Sequence, residues 1–204
     1  MIAIVDYGVG NLFSLASSVK SLGLEVTITR DAAELRAADH ILLPGVGAFA
    51  DAMDKLTATG LVPVLKEETR HTPLLGICLG MQLLFDKSYE FGEHEGLGLI
   101  PGQVCPLAED LTDPALKIPH IGWNALDITR PDDPLFKYVQ NGEYVYYVHS
   151  FYARNCADSI LGTSQYGNVA VTGAVRNGNV YGTQFHPEKS GDAGLRLLKA
   201  FSEL

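Results

Sequence analysis

Apolar and polar positions in the first half of the chain switch between two periods. Short apolar runs bounded by glycine, proline or a charge predict buried strands at "IAIVD", "LEVTIT", "HILLP" and Pro73–Ile77. Between them, apolar residues recur at helical spacing. The first helical run, "LFSLASSVKSLG", has Asn11 as its cap and ends at Gly23, and a shorter one starts from Asp31 and runs through Ala37. "AFADAMDKL" and "LVPVLKEETR" also read as helical, with Pro63 limiting where the second begins. Leu79, Gln82, Leu83 and Phe85 carry helical spacing beyond the fourth strand. Repeated β-α units of this size imply a parallel sheet with helices on both faces.

After about residue 95 the pattern changes to strand-like runs: "GLGLI", "KIPHIGWNALDI", "EYVYYVHSFYA" and "ILGTSQYG". "VAVTGAVR" and "VYGTQFHP" flank Asn177-Gly178-Asn179 and predict a hairpin. A helix from Asp192 to Phe201 closes the chain. With no repeat or low-complexity linker, residues 1–204 are expected to form one α/β domain. Its central sheet is mostly parallel and flanked by helices, with an antiparallel extension.

Composition narrows the function classes. The 204 residues suffice for a sizeable core, and 47% hydrophobic with 19% charged residues excludes a disordered chain. A net charge of −9 argues against nucleic acid as a partner. No run reaches the ~18 apolar residues of a membrane span. The stretch "MIAIVDYGVG" has no basic leader, and the three cysteines (78, 105 and 156) make neither a disulfide framework nor a zinc pattern, so a reducing cytoplasm is expected. The histidines are scattered, without paired metal spacing.

Candidate chemistry concentrates at strand ends, where ligands of parallel sheets collect. In "LLGICLGMQLLF", Gly76 and Gly80 flank Cys78 where strand gives way to helix, and their missing Cβ atoms let the two elements approach closely. A side chain at that apex stands above the sheet edge, the logic of a nucleophile elbow with Cys in place of Ser. A free cysteine is more often a small buried hydrophobe; the strand–G-x-C-x-G–helix context reverses that balance. The "PGVG" loop after "HILL" places Gly45, Val46 and Gly47 where backbone N–H groups could meet an oxyanion, with the Leu79 N–H as the other expected donor. A dinucleotide fingerprint over Gly45-x-Gly47-x-x-Ala50 is the weaker reading, because it follows the third strand rather than the first. In "QFHPEKS", Pro187 holds the chain extended and sets Glu188 two residues from His186, which suits a base oriented by a carboxylate.

"GICLGMQ" with "QFHPEKS" resembles the class I, triad-type glutamine amidotransferases. "DYGVGNL", "LPGVGAF" and especially "PHIGWN" narrow the resemblance to the glutaminase subunits of imidazole glycerol phosphate synthases, from Val5 through Ser190. The resemblance implies that Cys78 is the nucleophile, His186 the general base and acid, and Glu188 the orienting carboxylate. It implies hydrolysis of the L-glutamine side-chain amide through a thioester, with no cofactor and no metal. It assigns Gln82, Glu90 and the backbone of Ser150 and Phe151 to glutamine binding. It also implies a heterodimer with a (βα)8-barrel cyclase that takes up the ammonia and makes imidazole glycerol phosphate and AICAR. Asn11, Trp123, Tyr146 and Lys189 match positions facing that partner. Glutaminases of anthranilate, pyridoxal phosphate or purine synthesis share the triad, and "PHIGWN" separates them. A Cys-elbow hydrolase or a binding module with an inert cysteine are the rivals outside the family.

Overall fold

The computed structural model describes residues Met1–Leu204. Its first half runs β1 (Ile2–Val5), α1 (Leu12–Ser21), β2 (Val26–Thr29), α2 (Ala32–Arg36), β3 (His40–Gly45), α3 (Phe49–Ala58), α4 (Val62–Glu68), β4 (Leu74–Cys78) and α5 (Leu79–Leu83). The expected caps form: the Asn11 side chain accepts from Ser14 N, and that of Asp31 from Ala33 N. Pro63 lies in the first turn of α4, where its missing N–H has no helical partner to lose.

The second half runs β5 (Phe85–Ser88), β6 (His94–Glu95), β7 (Ile100–Pro106), β8 (His120–Ala125), β9 (Asp127–Ile128), β10 (Tyr144–His149), β11 (Phe151–Arg154), β12 (Ile160–Tyr166), β13 (Val169–Asn177), β14 (Val180–Thr183) and α6 (Gly191–Phe201). The central sheet has eight strands in the order β2-β1-β3-β4-β14-β13-β12-β9. Neighbours from β2 to β14 pair in parallel, and β13, β12 and β9 add antiparallel strands at the other end. The 177–180 hairpin joins β13 to β14, with Gly178 at φ +60° in its turn.

The parallel strands β1, β3, β4 and β14 are buried at every position because both faces are covered. Ala3, Val5, Ile41, Leu43 and Leu74 enter one core with α3 and α4. Ile2, Ile4, Leu42, Leu75 and Ile77 enter the other with Leu15 and Val19 of α1 and Leu197, Leu198 and Phe201 of α6. The period-two alternation along each strand thus divides its side chains between two layers of helices.

Three expectations need correction. Phe85 is not helical: α5 stops at Leu83 and Phe85 opens β5. Leu97 N bonds to Leu83 O, and both Leu99 N and Ile100 N bond to Leu84 O, so the carbonyls that would extend the helix are taken by a distant segment. For the same reason "GLGLI" is strand only at its last residue, where β7 begins. The antiparallel extension of the central sheet is as expected, but two of the strand-like runs beyond it divide between sheets. "EYVYYVHSFYA" breaks at Ser150; β10 pairs with β8 in a two-stranded ribbon, while β11 joins a four-stranded sheet, β11-β7-β5-β6. "KIPHIGWNALDI" likewise divides between β8 of the ribbon and β9 of the central sheet.

Candidate active site

Cys78 ends β4, paired in register with Gly45 of β3, and caps α5 with φ +55° and ψ −111°. An L-residue rarely adopts that backbone, and strain of this kind gathers at functional sites. The surrounding glycines make it sterically attainable. A Cβ on Gly80 would lie 1.8 Å from Leu43 O, one on Gly76 2.7 Å from Gly80 O, and one on Gly45 2.8 Å from Gly80 N. Helix and strands meet backbone against backbone, and the elbow expected from "GICLG" follows from that contact.

The Cys78 thiol is 3.9 Å from Val148 O and 3.8 Å from Gln184 Nε2. Beside it opens a cavity of about 440 Å³, ample for an amino acid, lined by Val46, Gly47, Cys78, Leu79, Gln82, Glu90, Phe91, Ser150, Phe151 and His186 among others. Most of the expected catalytic, oxyanion and substrate residues therefore converge. Gly45 does not line the cavity; it is the close-packed contact behind the elbow.

His186 follows β14, and its Nδ1 is 2.8 Å from Glu188 Oε1, both side chains almost fully buried. Burial disfavours the imidazolium, but the Cys78 sulfur and the Glu188 carboxylate outweigh it and push the His186 pKa up to about 9. The other ring nitrogen, Nε2, is buried and has no hydrogen-bond partner in this geometry. An imidazole held at one nitrogen by a carboxylate and free at the other is equipped to shuttle a proton.

The substrate-binding candidates already have partners. Gln82 Nε2 donates to Phe151 O and to Gln184 Oε1, both at 3.0 Å, which leaves the Gln82 carbonyl for a ligand donor. Glu90 accepts from Phe49 N at 2.6 Å, and burial raises its carboxyl above the usual carboxylate range.

The four positions expected at a partner lie outside the cavity. Trp123 of β8 is 54% exposed and meets Tyr146 of β10 edge to face, ring centroids 6.0 Å apart. Asn11 and Lys189 are exposed. Tyr146 is also tied to the His186–Ser190 segment: its N–H donates to Ser190 Oγ and its carbonyl accepts from His186 N, both at 2.9 Å.

Sequence reasoning passed over Gln184, His149 and Tyr7. Gln184 stands two residues before His186 in "QFHPEKS" and His149 directly before Ser150, so proximity to assigned residues was the available signal. Tyr7, within "DYGVGNL", is buried and donates to Pro44 O at 2.7 Å, at the root of the "PGVG" loop. No group of three or more His, Cys, Asp or Glu side chains converges as a metal centre requires.

Residues 3–203 match the glutamine amidotransferase class-I family. Among curated relatives, the chain is 49% identical over 205 residues to imidazole glycerol phosphate synthase subunit HisH of Listeria monocytogenes, covering 100% of this chain and 96% of the relative. It is 48% identical over 208 residues to the protein of the same name from Syntrophotalea carbinolica, with 100% of both chains covered. Among solved structures, PurLQS from Thermotoga maritima superposes with a TM-score of 0.75 at 19% identity, covering 99% of this chain and 97% of that one, which supports the fold alone. The chain belongs to the class-I glutamine amidotransferase family, in the group of imidazole glycerol phosphate synthase subunit HisH.

Proposed function

We propose that this chain is the glutaminase subunit of an imidazole glycerol phosphate synthase of histidine biosynthesis, with Cys78, His186 and Glu188 as its triad. The observation that carries the triad is the strained Cys78 elbow beside a buried imidazole whose Nδ1 is fixed by Glu188 and whose Nε2 is free. His186 takes the thiol proton as Cys78 Sγ attacks the glutamine Cδ, and the amide oxygen becomes an oxyanion met by the Leu79 N–H and the Val46–Gly47 backbone. The tetrahedral adduct collapses as His186 protonates the leaving nitrogen; ammonia departs and a glutamyl thioester remains. The now neutral ring takes a proton from water, hydroxide adds to the thioester, and glutamate leaves as the sulfur departs. Gln82, Glu90 and the Ser150–Phe151 backbone hold the substrate's α-substituents.

Ammonia in neutral water is mostly protonated and lost as a nucleophile, so the product serves synthesis only if delivered to an adjoining active site. The exposed face formed by Trp123 and Tyr146, with Asn11 and Lys189, is the docking surface assigned to a (βα)8-barrel cyclase, which consumes the ammonia in making imidazole glycerol phosphate and AICAR. Three unpaired cysteines are consistent with a reducing cytoplasm.

The decisive experiment is treatment with an electrophilic glutamine analogue followed by peptide mass mapping. The adduct is expected on Cys78 alone; label on Cys105 or Cys156 with Cys78 unmodified overturns the assignment. Glutaminase rates of the subunit alone, with empty cyclase and with ligand-loaded cyclase test the coupling. Equal rates in all three defeat it and leave the triad standing.

A further inference from the structure

The buried side of the β8–β10 ribbon carries a line of hydrogen-bonded side chains that ends at the cavity. Phe151 O lies 2.9 Å from His149 Nδ1, and a carbonyl only accepts, so the His149 proton is on Nδ1. His149 Nε2 then accepts, and its neighbour at 2.9 Å, His120 Nδ1, donates. That leaves His120 Nε2 as an acceptor facing the Asn124 amide at 3.4 Å, which itself donates to Gln165 O at 2.9 Å. All four ring nitrogens have one role each, and the assignment requires both rings neutral.

Two further features support it. His120 is sandwiched between Tyr147 and Tyr166, at centroid distances of 4.8 and 4.1 Å, so its ring has no freedom to turn. Burial holds the His149 pKa down at about 3 and that of His120 at about 4. At the cavity end, the same Phe151 carbonyl accepts from Gln82 Nε2 at 3.0 Å. The cross-strand pair His120–His149 is three residues along the ribbon from the pair Trp123–Tyr146.

We infer that His120 and His149 form a neutral positioning pair that fixes the Phe151 carbonyl, and through it Gln82, in the geometry that binds the substrate glutamine. The inference rests on the glutaminase reading above. Neither ring enters the chemistry on this account: His120 acts through His149, and His149 through Phe151.

The test uses the full chain in complex with its cyclase. His120→Phe keeps an aromatic ring between the two tyrosines and removes the donor; His120→Asn keeps an N–H near the Nδ1 position. His120→Phe is expected to raise the glutamine KM about five- to tenfold, the scale of one net hydrogen bond, with kcat at saturating glutamine within about twofold of the parent. His120→Asn should recover most of that loss. Nitrogen-15 spectra of the unaltered protein should show His149 as the Nδ1–H tautomer, and His120→Phe should release it to a mixture. The inference fails if the unaltered protein carries the Nε2–H tautomer, a reading independent of whether either variant folds. It also fails if folded His120→Phe keeps its KM or loses kcat instead, or if both variants are equally impaired. Absence of Cys78 labelling by the glutamine analogue would mark failure of the glutaminase reading, while the tautomer measurement would still decide the hydrogen-bonded line.

Discussion

The elbow and the ribbon hold Cys78 and His186, the proposed catalytic pair, by different means. Around Cys78 the contacts are backbone on backbone: no Cβ fits at Gly80 against Leu43 O or at Gly76 against Gly80 O. Cys78, the proposed nucleophile, is mounted on the middle of an eight-stranded sheet, between β3 and β14. His186, by contrast, takes its backbone bond from Tyr146, and Tyr146 belongs to a ribbon of only two strands. The ribbon's outer face leaves Ile121, Trp123 and Tyr144 exposed, while its inner face carries His120 and His149. Cys78 is therefore fixed by the central sheet, whereas His186, carried on the end of β14, and the Ser150–Phe151 edge are held in part by a ribbon whose outer face is exposed.

The comparison breaks most directly at the elbow. Cys78→Ala should lower glutamine hydrolysis by roughly 10⁴- to 10⁶-fold, the cost of deleting a nucleophile, while association with the cyclase persists. Gly80→Ala should cost more than about 4 kcal/mol of stability, because the added methyl meets strand backbone, which yields less readily than a side chain. Urea unfolding measures it; an unchanged midpoint would mean that the elbow has room and is not the rigid partner in the comparison.

The base and its orienter separate next. His186→Ala should lose nearly all glutaminase activity. Glu188→Gln should retain on the order of 10² more than His186→Ala, because an amide still holds the ring but stabilises the imidazolium less. Equal rates for the two variants would make Glu188 more than an orienter, and a wild-type rate for Glu188→Gln would end the triad reading.

Legibility in the sequence followed the same division. The parallel half was readable because local signals sufficed: apolar runs, Asn11 and Asp31 as caps, and glycines flanking a cysteine at a strand end. Cys78, His186 and Glu188 followed from short motifs. In the ribbon half the strand runs and the hairpin were readable but their division between sheets was not, since what breaks "EYVYYVHSFYA" at Ser150 is pairing with segments tens of residues away, and residue periodicity is blind to such partners. His149 and Gln184 escaped for a related reason: as single residues they resemble ordinary core polars, and only the hydrogen bonds to Phe151 and Gln82 distinguish them. The helical spacing of Phe85 is real, but the carbonyls of Leu83 and Leu84 are taken by Leu97, Leu99 and Ile100.

The electrostatic link between the two regions gives a smaller, pH-dependent effect. His186 titrates at about 9 in the folded chain against an ordinary 6.5. A pKa raised by folding contributes stability that is fully present below about 6.5 and is lost as pH rises through about 9. In Cys78→Ala the sulfur's share of that rise is gone and Glu188 alone opposes burial, so the ring should titrate lower. The stability gap between parent and variant from this ring should close between pH 6 and pH 10. Proton NMR titration of His186, with urea midpoints at the two ends, measures both. The same titration in the two proteins would show that ring and sulfur are electrostatically independent.

The smallest expected effect lies on the ribbon's outer face, and it tests the comparison most closely. Trp123 is the chain's only tryptophan, half exposed, edge-on to Tyr146 and within reach of the start of α6. Exposed aromatic anchors of this kind often dominate a docking interface. The Tyr146 backbone, in turn, holds both His186 N and Ser190 Oγ. Pressure on the Trp123–Tyr146 pair thus reaches His186 and Ser190 through two hydrogen bonds, and two residues along the same strand Val148 O lies 3.9 Å from the Cys78 thiol. Trp123→Ala should reduce the stimulation of glutaminase by ligand-loaded cyclase about tenfold, measured at saturating partner so that weaker docking is not mistaken for weaker signalling. Synthesis supported by free ammonium salts should be unaffected, since that route bypasses this subunit. If stimulation survives at saturating partner, the ribbon only docks, and the signal must enter instead through the "PGVG" loop, where Tyr7 holds Pro44 O.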